Sequence, residues 1–358
     1  MIARLSPLIS VVALLAVALA APHLRAATAA GTIYVDADAT GSNNGTSWAD
    51  AYTDLQSALG AANSGDQVWV AAGTYRPTTG TDRNVSFQME TGVAIYGGFA
   101  GTETALGQRD IAGNPTILSG NIGDQATNAD NSYHVVVASL FVDGSAVLDG
   151  VTVRDGNADG VSGADVGGGL RVDGSPTIAN VTLTGNSAAS GGGASIKGGT
   201  WTDVTITGNT AFFKGGGSYI AGPAALTNVT ISGNTAQNGG GIFVLRGTPQ
   251  LTRVTLTGNS ASVVGAAIYA EGGSPVVSES IAWGNGDPVF QIARNAGGFP
   301  SLSGRNLIEG GCPGAFSCNP ADVIDADPNA PNFSVPDIVP PPALATNRLE
   351  NRRVINQR

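Results

Sequence analysis

"NVTLTGNSAASGGGASI", residues 180–196, decides the fold. Val181 and Leu183 alternate with Thr182 and Thr184, and Ala194 and Ile196 flank Ser195. This is the period-2 pattern of short, half-buried strands. Glycine permits tight corners, and asparagine tolerates a left-handed backbone. Close copies follow. "TLTGN", "TITGN", "TISGN" and "TLTGN" end at Asn186, Asn209, Asn234 and Asn259, in steps of 23, 25 and 25 residues. "TVRDGN", ending at Asn157, and "IAWGN", ending at Asn285, read as degenerate ends of the series. A glycine series, Gly169, Gly193, Gly217, Gly241 and Gly265, advances by 24 residues each time. "SPTI" from Ser175, "TPQL" from Thr248 and "SPVV" from Ser274 add another short run per unit.

Three short strands and their turns in one such period make one coil of a solenoid. The expected fold is all-β: a right-handed parallel β-helix of the pectate-lyase-like kind, its coils stacked at about 4.8 Å. Val181, Val204, Val229 and Val254 are expected to form one buried column. Asn186, Asn209, Asn234 and Asn259 are expected to form a structural turn ladder. "SWADAYTDLQSALGAANSG" from Ser47 predicts a helix that caps the first coil. Ser47 is its expected N-cap and Gly65 its stop, with Ala51, Leu55, Ala58, Leu59 and Ala62 on one face.

The ends differ from the middle. Residues 1–26 read as an export signal, with Arg4 before an apolar run from Leu8 to Leu19 and cleavage between about 20 and 30. The β-helix is expected over 31–319, and the proline-rich stretch 320–358 is expected to be disordered. "CPGAFSC" suggests a small disulfide loop between Cys312 and Cys318, as an oxidising compartment would favour. A formal net charge of −10 argues against a nucleic-acid partner, and no later run is apolar enough to span a bilayer.

"IYVDADATGSNNGTSWADAYTDLQSAL", "VWVAAGTYRPT", "IYGGFAGTET" and "LDGVTVRDGNADG" resemble secreted bacterial β-helix proteins related to polymorphic outer-membrane proteins, with variable C-terminal anchors. The resemblance covers residues 32–328. It implies an exported passenger at the cell surface of a Gram-negative bacterium, outside the cell or in the periplasm.

Several groups are candidates for chemistry. In "DGNADG", Asp155, Asn157 and Asp159, with Asp165, could offer oxygens to calcium, although Val166 stands where a calcium loop has glutamate. The competing reading is a polar loop that widens one coil, and no cofactor is required by the fold. An outward column of Arg171, Ser195, Tyr219, Phe243 and Ala267, with Phe212 and Phe213 on the preceding loop, could stack on sugars. Ordinary packing between coils competes with it. Outward threonines, such as Thr182, Thr205, Thr230 and Thr255, could order ice but also suit any strand. His134, expected to outlast signal removal, reads as structural. Asp155, Asp159, Asp165 and Asp173 near Arg154 and Arg171 leave a lyase or hydrolase of acidic polysaccharide as the alternative. The leading expectation is a non-catalytic, adhesin-like passenger with a polysaccharide or cell-surface partner, with an ice-binding surface a distant third.

Overall fold

The structure is a computed structural model that describes residues 30–161, 163–286, 291–295, 297–311 and 320–325. The expected signal segment, the Cys312–Cys318 loop and the stretch from 326 onward lie outside the described residues.

Alternation in the repeat is realised as parallel strands stacked coil on coil. A right-handed β-helix results, with one hydrophobic core running along its inside. Each regular coil visits four sheets rather than the three expected. The first sheet has ten strands, among them Thr177–Ala179 and Thr200–Thr202. The second, also ten-stranded, includes Thr182–Thr184 and Thr230–Ser232. Five short strands, Asn157–Ala158, Ser187–Ser190, Thr210–Lys214, Thr235–Asn238 and Ser260–Val264, form an extra sheet between the second and the third. The third sheet has eight strands, including Leu170–Val172, Ala194–Ile196, Ser218–Ile220, Ile242–Val244 and Ile268–Ala270.

The inward columns are as the alternation requires. Val181, Val204, Val229 and Val254 are buried, and so are Leu183, Ile206, Ile231 and Leu256 behind them. The asparagine ladder also forms. The Oδ1 of Asn209 accepts from the backbone N–H and the side-chain amide of Asn186, each at 3.0 Å. Asn234 does the same for Asn209, and Asn259 for Asn234. Asn285 closes this series by accepting from Asn259. Asn157 does not belong to the ladder: it lies in the extra sheet, and Gly156 N–H takes the place, donating to Asn186 Oδ1. The left-handed backbone is not on the ladder asparagines. It falls on the glycine before each, such as Gly208 (φ 63°), and on the corner between the first two sheets, at Asn180, Asp203, Asn228, Arg253 and Glu279. The glycine triplet answers close approach. A Cβ on Gly193 would sit 2.6 Å from the Gly217 carbonyl oxygen of the next coil.

Three boundaries shift. The capping helix is only Leu55–Ala61, with Asp54 rather than Ser47 as N-cap, its side chain accepting from Ser57 N–H. Of the expected face, Ala51, Leu55 and Ala58 are buried, while Leu59 and Ala62 are half-buried against the core. A strand before the helix, Thr32–Val35, starts the first sheet by pairing with Gln67–Ala71. At the other end the second sheet continues through Val323–Ile324, paired with Asn306 and Leu307, past the expected end at 319.

Candidate functional site

The outward face of the third sheet carries the candidate residues. Register places Gln88, Val137, Arg171, Ser195, Tyr219, Phe243, Tyr269 and Ala293 in one column, one per coil. Ala267 is not its fifth aromatic-column member. It is buried one place before the strand, and Tyr269 stands beside Phe243. The glycine count misled here because Ser260–Val264 holds one residue more than its partner: Ala236 pairs with Ala261, but Asn238 with Val264. Gly241 therefore faces Ala267 (Ile242 N–H donates to the Ala267 carbonyl), not Gly265.

A second bulge exposes the phenylalanine pair. Ala188 pairs with Ala211 and Ser190 with Lys214, so Phe212 and Phe213 together oppose one residue. A bulge of this kind leaves the extra residue out of the ladder and re-aims side chains. Phe212 and Phe213 are thus on a strand rather than a loop, edge to face with centroids 4.5 Å apart, and 65% and 48% exposed. Val263, in the later bulge, is exposed as well.

The aromatic column is covered. Phe243 is 0% exposed, although it points away from the coil interior. Tyr219 stacks on one face of it at 5.6 Å, and Tyr269 leans on it from the next coil at 5.5 Å. Lys214 closes the outside: its Nζ lies 4.7 Å from the Phe243 centroid and 2.7 Å from Glu271 Oε2. Phe243 therefore follows the competing reading, packing between coils, and offers no free face to a sugar, while Tyr219 is half-buried. Burial, followed by the nearby Glu271 carboxylate, raises the Tyr219 hydroxyl pKa above its ordinary value.

Toward the N-terminal coils the column opens into a cleft of about 380 Å³. Gln88, Val137 and Arg171 form its floor, Tyr133 and His134 one side, and Gly163 and Ala164 its rim. Arg83 stacks over Tyr133 at 4.1 Å and pairs with Asp159 at 2.6 Å. Arg171 donates through Nε to Asp173 and through Nη1 to the Gly163 carbonyl. Asp173 also pairs with Lys197 at 2.6 Å. Burial works to raise the Asp173 pKa, but Lys197 and Arg171 outweigh it and hold the carboxyl below the ordinary value. His134 is buried, with both ring nitrogens at carbonyl oxygens.

The expected calcium oxygens are each engaged within the protein. Asp155 accepts from Ser119 and pairs with Arg154, and Asp159 pairs with Arg83. Asn157 is buried and accepts from Ser187, while Asp165 accepts from Gly163 N–H. Among the described residues no three His, Cys, Asp or Glu side chains are grouped to hold a metal. The expected acid cluster also divides: Asp173 goes with Arg171 and Lys197, Asp155 with Arg154. His134, Tyr133, Gln88, Lys214 and Glu271 were not singled out as site residues by their sequence. Tyr269 was not singled out either, and a fixed count from the ladder does not reach it: Phe243 lies 9 residues after Asn234, but Tyr269 lies 10 after Asn259.

The repeat of Chlamydia polymorphic membrane proteins matches residues 228–245 and 253–271. Each match starts at the left-handed corner residue, Asn228 or Arg253, and runs through the second, extra and third sheets. No curated protein matches the chain. Among solved structures, the fold is similar to that of pectate lyase Pel9A, with a TM-score of 0.53 and 16% identity over 78% of this chain and 70% of that one. A pectin methylesterase from Aspergillus niger, in deglycosylated form, aligns with a TM-score of 0.43 and 14% identity over 85% of this chain and 92% of that one.

Proposed function

We propose that the protein is an exported bacterial surface β-helix that binds carbohydrate without cleaving it, along the outer face of its third sheet. The observation that carries the reading is continuity. A polar cleft at Gln88, Tyr133 and Arg171 runs into a row of half-buried and buried rings, flanked by the exposed Phe212–Phe213 pair. Sugars present both hydroxyl groups and apolar ring faces, and such a surface offers partners for each. The repeat shared with polymorphic membrane proteins supports the surface location.

The pairing of the cleft's charges favours binding over turnover. A general base needs a free lone pair within reach of substrate. Asp173 spends its carboxylate on two cations, and both His134 nitrogens lie at backbone carbonyls. A glycan array with a parallel polysaccharide-cleavage assay tests this. Binding without reducing-end or unsaturated product is the expected result. Phe212→Ala with Phe213→Ala should abolish that binding while stability changes by less than about 0.5 kcal/mol per site, since both rings are exposed. Product release by the parent chain would instead establish an enzyme.

A further inference from the structure

His134 lines the cleft with both ring nitrogens turned to backbone carbonyls, a chemically unusual setting. Nδ1 lies 2.9 Å from the Gly167 carbonyl and Nε2 lies 3.1 Å from the Gly163 carbonyl. Both partners are backbone oxygens, which can only accept. A neutral imidazole has one N–H and one bare lone pair, so it can satisfy one of them; an imidazolium has two N–H groups and satisfies both.

The two carbonyls are held differently. Gly167 is anchored to the β-helix, since its N–H donates to Ser190 and Val166 bridges to Ser190. The Gly163 carbonyl is attached to the sheet by His134 and by Arg171 Nη1. The shorter, buried contact is also the one at Gly167. A neutral ring therefore keeps its proton on Nδ1 and turns a lone pair toward Gly163, where two negative ends face each other. Gly163 and Ala164 form the rim of the cleft.

We propose that His134 is a proton-operated clamp: with both nitrogens protonated it holds Gly163 down over the cleft, and with one it lets that rim lift. That the clamp regulates ligand access rests on the binding reading above; the clamp itself does not. The charged groups around the ring are Arg171 on the next strand, Asp173 beyond it, Asp165 within the rim, and the Arg83–Asp159 pair beside Tyr133. Arg171 disfavours a second positive charge and Asp173 favours it, but desolvation is the largest influence and lowers the His134 pKa. The clamp accordingly closes on the acid side of the ordinary histidine range.

Imidazole ¹⁵N shifts of the full chain, followed from about pH 8 to 4, report when the second proton arrives. Amide exchange at Gly163 and Ala164 reports the rim. Relative to the intrinsic, hydroxide-catalysed rate at each pH, protection of these amides should rise about tenfold, the equivalent of one hydrogen bond, with the same midpoint as the ring. His134→Gln replaces the titrating ring by an amide whose nitrogen donates and whose oxygen only accepts, and should show a protection that does not change with pH through the histidine range. Arg171→Gln removes the other donor to Gly163 and should enlarge the pH response. The proposal is overturned if the ring gains its second proton with the protection at Gly163 unchanged, or if it stays singly protonated across the whole range. No ligand enters these readouts, so a failed clamp would leave the carbohydrate reading intact, and a silent glycan array would leave the clamp intact.

Discussion

The coils from Leu170 to Ala270 and the coils before Arg154 solve one problem in two ways. Both must satisfy buried backbone groups at the corner after the second sheet. The later coils use one residue type, an asparagine that bonds to its own copy in the next coil. The earlier coils use long loops and unlike side chains. Arg83 donates to the Asn131 and Asn157 carbonyls, Asn131 donates to Asp155, and Asn157 donates to Asn128. Repetition gives stability with little information, since each coil needs only its neighbour. Irregular loops give a cleft, because they bring different chemistry to one place. Gln88, Tyr133, His134 and the Gly163 rim all belong to this irregular part or its junction with the repeat.

The largest expected effect probes the repeat. Val229→Asp places an unpaired carboxylate among residues with essentially no exposure, and should cost about 3–5 kcal/mol in denaturant unfolding. Wild-type stability for that variant would show that the valine column does not carry the later coils.

Next comes the row of rings on the outer face of the repeat. Phe243→Ala should cost about 3 kcal/mol, because the ring is sealed by Tyr219, Tyr269 and Lys214. Tyr219→Ala, at a half-buried position, should cost less. Equal melting temperatures for Phe243→Ala and the parent would mean that the outer face is open after all.

A direct comparison of the two corner solutions follows. Asn234→Ala strips the Asn209 N–H of its acceptor, takes one of three acceptors from the Asn209 side-chain amide, and removes the side-chain donor to the Ile206 carbonyl. About 1–3 kcal/mol should be lost. Asn131→Ala removes a single donated bond, to Asp155, and should cost about 1 kcal/mol. If the second variant is the weaker of the two, the loops rather than the ladder are the critical corner.

The smallest effect is in pH. Because burial lowers the His134 pKa in the folded state, the native protein binds this proton less readily than the unfolded chain. The contribution is present in full above the unfolded value, about 6.5, and is lost as pH falls through the folded value. Thermal melts of the parent should therefore decline below about pH 6.5 more steeply than those of His134→Gln. Parallel curves would remove His134 from the pH dependence.

Alternation in "VTLTGN" and "GASI", and the recurrence of both, were enough to determine a parallel β-helix, its inward columns and its asparagine ladder. These are local properties: which way a strand residue points follows from its neighbours in the chain. Whether an outward residue meets water is not local. Phe243 and Phe213 both lie in strands with no core to fill on their outer side, yet one is sealed and the other is 48% exposed. The difference is a lysine and a glutamate 57 positions apart, brought together over Phe243 by two turns of the solenoid. A one-residue bulge has the opposite effect at Phe213. His134 shows the same limit: the chain places it next to a strand, but only the return of the backbone at Gly163 and Gly167 sets an acceptor at each of its nitrogens.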